Sequence, residues 1–246
     1  MKIDFGILAG GDGKRLNAGI PKAWVTIGGQ SILSRVYYEI PPLANKIFVV
    51  GHDDRRVDIL GLGEKSVWVQ KTGKYISDLF AIVNSSDADL LIVINADAVL
   101  VTEENLDHLV WVLGSFPDCG VVWPAVPIDE CFPEAGGRRY IPGSKSLARG
   151  NVFAFRPKMV RMHEKIIKRM EENPTFGEVI ALGLGLCLRY ATRSLKPHHV
   201  AERLGLLFGC KAFIAQMSTP EFAFDVDHPK DRVTALEILR KQGRIK

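Results

Sequence analysis

Ile3-Asp4-Phe5-Gly6-Ile7-Leu8-Ala9-Gly10-Gly11-Asp12-Gly13-Lys14-Arg15-Leu16 is the stretch from which the fold can be read. Ile3 to Leu8 is an apolar run of strand character. It stops at Gly10-Gly11-Asp12-Gly13, a turn that only glycine-rich sequence tolerates. Moving outward, Ile32 to Ile40 has helical character and ends at Pro41-Pro42, and Lys46 to Val50 and Ser66 to Val69 are short strand-like runs. Ser77 to Asn84 carries Leu79, Ile82 and Val83 at helical spacing. Leu90 to Ile94 is apolar at every position, as a central strand covered on both faces should be. Asn105 to Leu113 is helical, opened by Thr102 with Glu103 and Glu104 in its first turn, and Val121 to Pro124 resumes strand character. This alternation of strand and helix predicts an α/β fold on a mostly parallel sheet.

The second half is less regular. Residues 125–150 read as an inserted loop or hairpin, rich in proline and glycine, that returns to a strand at Asn151 to Phe155. Helices are expected at about Pro157 to Glu172, Gly177 to Leu182 and His199 to Phe208, strands at Lys211 to Met217 and Ala223 to Val226, and a final helix at Lys230 to Gln242. Nothing argues for cutting the chain, so residues 1–246 are expected to form a single domain.

The 246 residues are 47% hydrophobic and 24% charged, an ordinary globular composition that excludes disorder for most of the chain. The formal charge of +4 is well short of a dedicated nucleic-acid binder and suits a pocket for phosphorylated small molecules equally well. The four cysteines, Cys119, Cys131, Cys187 and Cys210, form no C-x-x-C pair and no zinc-type spacing, which reads as free thiols in a reducing compartment. No targeting or membrane-spanning segment is expected, and the location is expected to be cytoplasmic. Trp24, Trp68, Trp111 and Trp123 are read as core, and His198-His199 as a helix start.

A strand feeding a glycine-rich loop can point several backbone N–H groups at one spot, which makes an anion site, and Arg15 and Lys22 can add two cations there. Two better-known phosphate loops do not fit. A P-loop needs glycine at Leu8 and a hydroxyl at Arg15, and a dinucleotide fingerprint needs a third glycine at Leu16.

Leu8-Ala9-Gly10-Gly11, Arg15 and Pro21-Lys22 together resemble the signature loop of the nucleotidyltransferase superfamily, in its MobA-like branch. That resemblance implies a three-layer α/β/α fold of the GT-A kind with a mostly parallel central sheet. It implies nucleotide contacts at Leu8, Ala9, Gly10, Gly11 and Gly13, with Arg15 and Lys22 as catalytic cations. Asp97, at the end of Leu91-Ile92-Val93-Ile94-Asn95-Ala96-Asp97, falls where the family holds a divalent metal, Mg²⁺ or Mn²⁺. Phe224-Asp225-Val226-Asp227-His228-Pro229-Lys230-Asp231 resembles the segment whose carboxylate returns to that metal, with Asp227 assigned and Asp225 as a second candidate. Alternation along a strand would put both on one face, and Asp231 reads as a helix first-turn carboxylate. Lys71 to Asp78 resembles the base- and ribose-contacting loop, with Gly73 and Ser77 as its nucleotide contacts and no legible base preference. Asn151 is the candidate acceptor contact.

The reaction so implied is transfer of an NMP group from an NTP to a phosphorylated small-molecule acceptor, with release of pyrophosphate. A metal-dependent glycosyltransferase is the second reading, although Asn95-Ala96-Asp97 supplies only one acid of a D-x-D. A non-catalytic nucleotide-binding regulatory module is the third. Acceptor, base and oligomeric state stay open at this level.

Overall fold

The computed structural model describes residues 1–133, 141, 144, 146–160, 189, 192 and 194–245. Strand β1 (Ile3–Leu8) lies between β6 (Leu90–Asn95) and β4 (Ile47–Gly51), parallel to both. β5 (Ser66–Gln70) extends the parallel set at one edge. On the other side β9 (Val152–Phe155) runs antiparallel to both β6 and β7 (Cys119–Pro127). β10 (Lys211–Gln216) closes that edge parallel to β7, and β8 (Leu147–Arg149) pairs antiparallel with β7. Among the described residues the sheet has eight strands in the order β10-β7-β9-β6-β1-β4-β5, with β8 off this path. β2 (Thr26–Ile27) and β3 (Gln30–Ser31) form a separate hairpin.

Alternation along the strands separates two cores. Ile3, Phe5, Ile7, Ile92 and Ile94 pack with Leu33 and Val36 of α1 (Ile32–Tyr38), Leu106 and Leu109 of α4 (Glu103–Gly114), and Ile238 and Leu239 of α7 (Pro229–Lys241). Leu91, Val93, Val121 and Phe155 point the other way. They pack with Leu79, Phe80, Ile82 and Val83 of α3 (Tyr75–Ser85) and Val160 of α5 (Pro157–Val160). The remaining helices among the described residues are α2 (Arg56–Leu60) and α6 (Pro197–Phe208). A sheet buried on both faces explains why Leu90 to Ile94 has no polar position. No helix among the described residues is long and apolar enough to cross a membrane.

Local signals account for the element ends. Thr102 accepts from Asn105 N–H at 3.2 Å and the Asn105 side chain accepts from Thr102 N–H at 3.1 Å, a reciprocal cap on α4. His199 Nδ1 accepts from Lys196 N–H at 3.1 Å at the start of α6, so the two histidines do open a helix. Asp4 is fully buried yet satisfied by Asn45 Nδ2 at 2.8 Å and Ser86 Oγ at 2.7 Å, tying β1 to the turns that precede β4 and β6.

Two expectations are corrected here. Ala223 to Val226 is not a strand: Pro220–Ala223 is a 3₁₀ turn, and the residues after it direct their backbone bonds to loops. Asn151 Nδ2 donates to Phe224 O at 3.4 Å and Val226 N–H to Asp97 O at 3.2 Å. Trp111 is 71% exposed rather than core, because Leu106, Leu109 and Leu113 form the buried seam of α4 and Trp111 falls on the opposite side. Residues 161–172 and 177–182 of the two expected helices, Cys187, and 134–140, 142, 143 and 145 of the expected insertion lie outside the described residues.

Gly6 lets α3 approach the sheet closely, since a Cβ there would lie 2.6 Å from Ile82 Cγ2. Gly6→Ala should therefore cost about 1–3 kcal/mol by overpacking, read from the denaturant midpoint. The loss should be smaller than additive with that of Ile82→Ala, and strict additivity would show that this contact does not set the helix distance.

Candidate active site

The site forms where the carboxyl ends of β1 and β6 meet. The chain leaves β1 into residues 9–13 and a 3₁₀ turn at Lys14–Leu16, then returns so that Lys22 N–H donates to Gly11 O at 2.9 Å. Gly13 holds φ at +70°, and a Cβ there would meet Ile20 O at 2.5 Å, so glycine is required twice over. Ala96 N–H donates to Leu8 O at 3.1 Å and carries Asp97 alongside the loop. The third component is the extended segment before α7. Phe224 and Val226 are buried, and Asp225 and Asp227 alternate with them toward the site. Asp231 accepts from Asp227 N–H at 3.0 Å and His228 N–H at 2.7 Å, so it caps α7 and holds Asp227 in place.

The charges interlock. Lys22 Nζ donates to Asp97 Oδ2 and, at 2.6 Å, to Asp227 Oδ1, and Arg15 Nη1 donates to Asp227 Oδ2 at 2.8 Å. Burial pushes the Lys22 ammonium down, but Asp97 and Asp227 outweigh it and hold the pKa above that of an ordinary lysine. Lys22 is thus a cation at neutral pH. Asp97, Asp225 and Asp227 each offer an oxygen within 4.8 Å of the others. Asp97 Oδ1 is buried with no hydrogen-bond partner among the described residues. A second cluster flanks the loop: Lys71 Nζ donates to Asp12 Oδ1 at 2.8 Å and lies 3.3 Å from His52 Nε2. Its hydrogen bond with Lys71 lowers the Asp12 pKa.

These groups open on one cleft of about 730 Å³. Leu8, Ala9, Gly10, Gly11, Gly13, Arg15 and Lys22 line it, as do Gly73, Asp97, Asn151, Asp225 and Asp227. Ser77 does not: α3 begins at Tyr75, and its neighbours Tyr75, Ile76 and Asp78 form the wall instead. Asn151 is at the cleft but is 6% exposed, and its amide is committed to the fold. It accepts from Asn95 Nδ2 at 3.2 Å and donates to Phe224 O at 3.4 Å, and Tyr75 Oη donates to Asn95 Oδ1 at 3.1 Å. Asn151 therefore stitches the ends of β6 and β9 to the segment bearing Asp225, while still lining the cleft where an acceptor contact is expected of it. Sequence reading also passed over Lys71, Tyr75, Asp78 and Asn95 as individual site residues, and over the stacked pair Trp123 and Phe153, whose centroids are 5.5 Å apart at the cleft wall. Lys71, Tyr75, Asp78 and Asn95 lie within stretches the sequence already marks, Lys71 to Asp78 and Leu91 to Asp97, whereas nothing local flags Trp123 and Phe153.

The fold has counterparts among known proteins. No curated protein matches the chain significantly in sequence. Among solved structures, a hypothetical transferase from Thermus thermophilus superposes with a TM-score of 0.75 at 20% identity, over 94% of this chain and all of that one. A CMP:2-keto-3-deoxy-manno-octonic acid synthetase complexed with CTP gives 0.61 at 14% identity, over 98% of this chain and 100% of that one. The 2-C-methyl-D-erythritol 4-phosphate cytidylyltransferase from Thermus thermophilus gives 0.62 at 14% identity, with the same coverage. These establish a shared three-layer α/β fold. The model of the MobA-like NTP transferase domain matches residues 6–161, and the chain belongs to that family.

Proposed function

We propose that the protein transfers an NMP group from a nucleoside triphosphate to a phosphorylated small molecule, with loss of pyrophosphate. The observation that carries this is the Lys22 ammonium joined to Asp97 and Asp227 beside a glycine loop whose backbone lines the same cleft. The loop N–H groups and Arg15 receive the β- and γ-phosphates. Lys22, held at the loop's return, faces the charge that develops at the α-phosphate and the departing pyrophosphate. The acceptor phosphate, already largely ionised at pH 7, attacks phosphorus without a general base. Catalysis is then positioning and charge neutralisation, and no nucleophilic side chain is needed.

The donor set suits a hard divalent cation. Three carboxylates converge, and the buried Asp97 Oδ1 lacks any partner, which is costly unless a cation or water completes it. Asp97 and Asp227 would hold Mg²⁺ or Mn²⁺, with Asp225 in reach. The ion would supply added positive charge to the phosphates. Lys22 between the two acids and Arg15 on Asp227 together offset both charges in the free protein, so the acids can sit together before any nucleotide arrives. The absence of a spanning helix among the described residues fits work on freely diffusing substrates. The reducing-compartment reading of the thiols favours the cytoplasm.

Incubation with each NTP, Mg²⁺ and a panel of phosphorylated acceptors should release pyrophosphate in step with acceptor consumption. Nucleotide binding with no pyrophosphate under any combination would favour a regulatory module. Use of an NDP-sugar in place of an NTP would favour a glycosyltransferase.

Lys22→Ala should lower kcat by roughly 10²–10³-fold while nucleotide Kd changes far less, and unaltered turnover would overturn the role given to Lys22. Asp97→Asn should abolish the rise in Tm that Mn²⁺ gives the wild-type protein, because a bound ion stabilises by mass action. A shift of equal size in the variant would place the ion elsewhere.

A further inference from the structure

The reaction proposed above uses the charged half of the cleft and leaves the other half without a task. Every described residue that β7, β9 and α6 contribute to the cleft wall is apolar: Val121 and Trp123, Phe153 and Phe155, Leu204 and Phe208. Val121 and Phe155 are buried, and Trp123, Phe153, Leu204 and Phe208 are half-buried. The rings form one continuous surface. Trp123 stacks on Phe153 with centroids 5.5 Å apart, Phe153 stacks on Phe155 at 6.3 Å, and Phe208 meets Phe155 edge-on at 6.3 Å. The indole has one donor, and it is spent, because Trp123 Nε1 donates to Gly150 O at 3.1 Å. What this wall offers a ligand is carbon.

Its position relative to the charges decides which substrate it can serve. Alternation along the chain puts Asn151, Phe153 and Phe155 on one side of the sheet, so the wall runs about 13 Å from Asn151 inward. Arg149 and Asn151 line the cleft at the end nearest the carboxylates, since Asn151 Nδ2 donates to the carbonyl of Phe224, one residue before Asp225. The wall therefore has a polar mouth and an apolar interior. The glycine loop follows β1, which flanks β6 on the side opposite β9, and Asp97 follows β6 itself. A nucleotide with its phosphates on the glycine loop thus has its α-phosphorus, at Lys22 and Asp97, between the loop and the wall. Entering and leaving oxygens lie roughly in line in displacement at phosphorus. With pyrophosphate leaving on the loop side, the attacking oxygen comes from the side of β9.

We propose that the acceptor is the phosphate monoester of an apolar alcohol, its phosphate at Arg149 and Asn151 and its body on the surface of Trp123, Phe153 and Phe208. This rests on the reading of the cleft as a nucleotidyltransferase site and adds the class of acceptor to it. One oxygen of the acceptor phosphate bonds to the α-phosphorus, the bond from that phosphorus to the bridging oxygen breaks with its electron pair on oxygen, and pyrophosphate leaves. A sugar or polyol phosphate would lay its hydroxyl groups on a surface that gives them no partner, and they would lose the water they had.

The test measures pyrophosphate release by the full chain with Mg²⁺ and an equimolar mixture of the four NTPs, comparing benzyl phosphate and 3-methylbutyl phosphate with glycerol 3-phosphate and glucose 1-phosphate. The apolar pair should show kcat/KM at least about tenfold above the polar pair. Trp123→Ala should raise KM for benzyl phosphate about tenfold, far more than it lowers kcat, and leave NTP affinity within about twofold. Trp123→Phe, which loses the bond to Gly150 but restores an apolar ring, should recover most of that loss. Polar acceptors used as well as the apolar pair overturn the proposal on the wild type alone, even where a variant fails to fold. An unchanged KM for benzyl phosphate in folded Trp123→Ala overturns it too and leaves the aromatic wall as packing. Pyrophosphate with the polar pair only removes the class of acceptor and keeps the nucleotidyltransferase reading, whereas no pyrophosphate with any of the four removes both.

Discussion

Everything in the site depends on one buried cation shared by two carboxylates. Lys22, Asp97 and Asp227 come from three remote parts of the chain, and their side chains are only 15%, 18% and 12% exposed. Two acids brought together in a half-dry cleft repel each other and resist ionisation unless a cation lies between them. Lys22 supplies that cation. Such an arrangement contributes little net stability, because desolvating the ions offsets much of their attraction. What it provides is a defined geometry. Several devices of the fold maintain it: the bond from Lys22 N–H to Gly11 O, the Asp231 cap behind Asp227, and the bond from Val226 N–H to Asp97 O.

Sheet topology explains why these parts meet here. The chain runs from β1 outward through β4 and β5, then crosses back to place β6 on the other flank of β1. The connections leaving β1 and β6 diverge to opposite sides, and in an open α/β sheet such a reversal opens a crevice at the carboxyl ends of the strands. The glycine loop and Asp97 are the residues that follow those two ends. Antiparallel β9, inserted beside β6, then brings Asn151 to the same level, so the Tyr75, Asn95 and Asn151 side chains form a polar chain along the floor of the crevice.

Much of this was legible in the sequence, for identifiable reasons. Period and local chemistry marked β1, β6 and α4, since a buried parallel strand is apolar throughout and Thr102 carries its own capping partner. The Leu8–Arg15 loop with Pro21-Lys22 marked the site. What could not be read depends on contacts between distant segments. Ala223 to Val226 has strand composition, but its backbone bonds reach the Asp97 carbonyl and the Asn151 side chain rather than a neighbouring strand. Asn151 looks like a surface turn residue until Asn95 and the Phe224 carbonyl are placed around it. Ser77 and Asp78 are adjacent letters, and which one faces the cleft is set by the rotation of α3, itself fixed by Ile82 against Gly6. Trp111 misled because a large apolar residue on a helix was assigned by type rather than by its place around the axis.

The local charge balance explains the chemistry better than the total. The chain carries a formal +4, yet among the described residues the cleft wall brings five cations, Lys14, Arg15, Lys22, Lys71 and Arg149, against five carboxylates, Asp12, Asp78, Asp97, Asp225 and Asp227. The wall is formally neutral. The proposed triphosphate would therefore not be drawn in by excess charge, and its binding would require the cations and acids to be redistributed. Lys22 and Arg15 can turn to phosphate oxygens only if Asp97 and Asp227 find another positive partner, since leaving two paired acids bare in a low-dielectric cleft costs several kcal/mol, on the order of the 3–5 kcal/mol of a broken buried pair. A divalent ion arriving with the nucleotide would meet that requirement. The same neutrality makes the free cleft a poor trap for stray anions, so the metal-bound triphosphate proposed above would be selected through the pairing of Lys22 rather than through a basic surface.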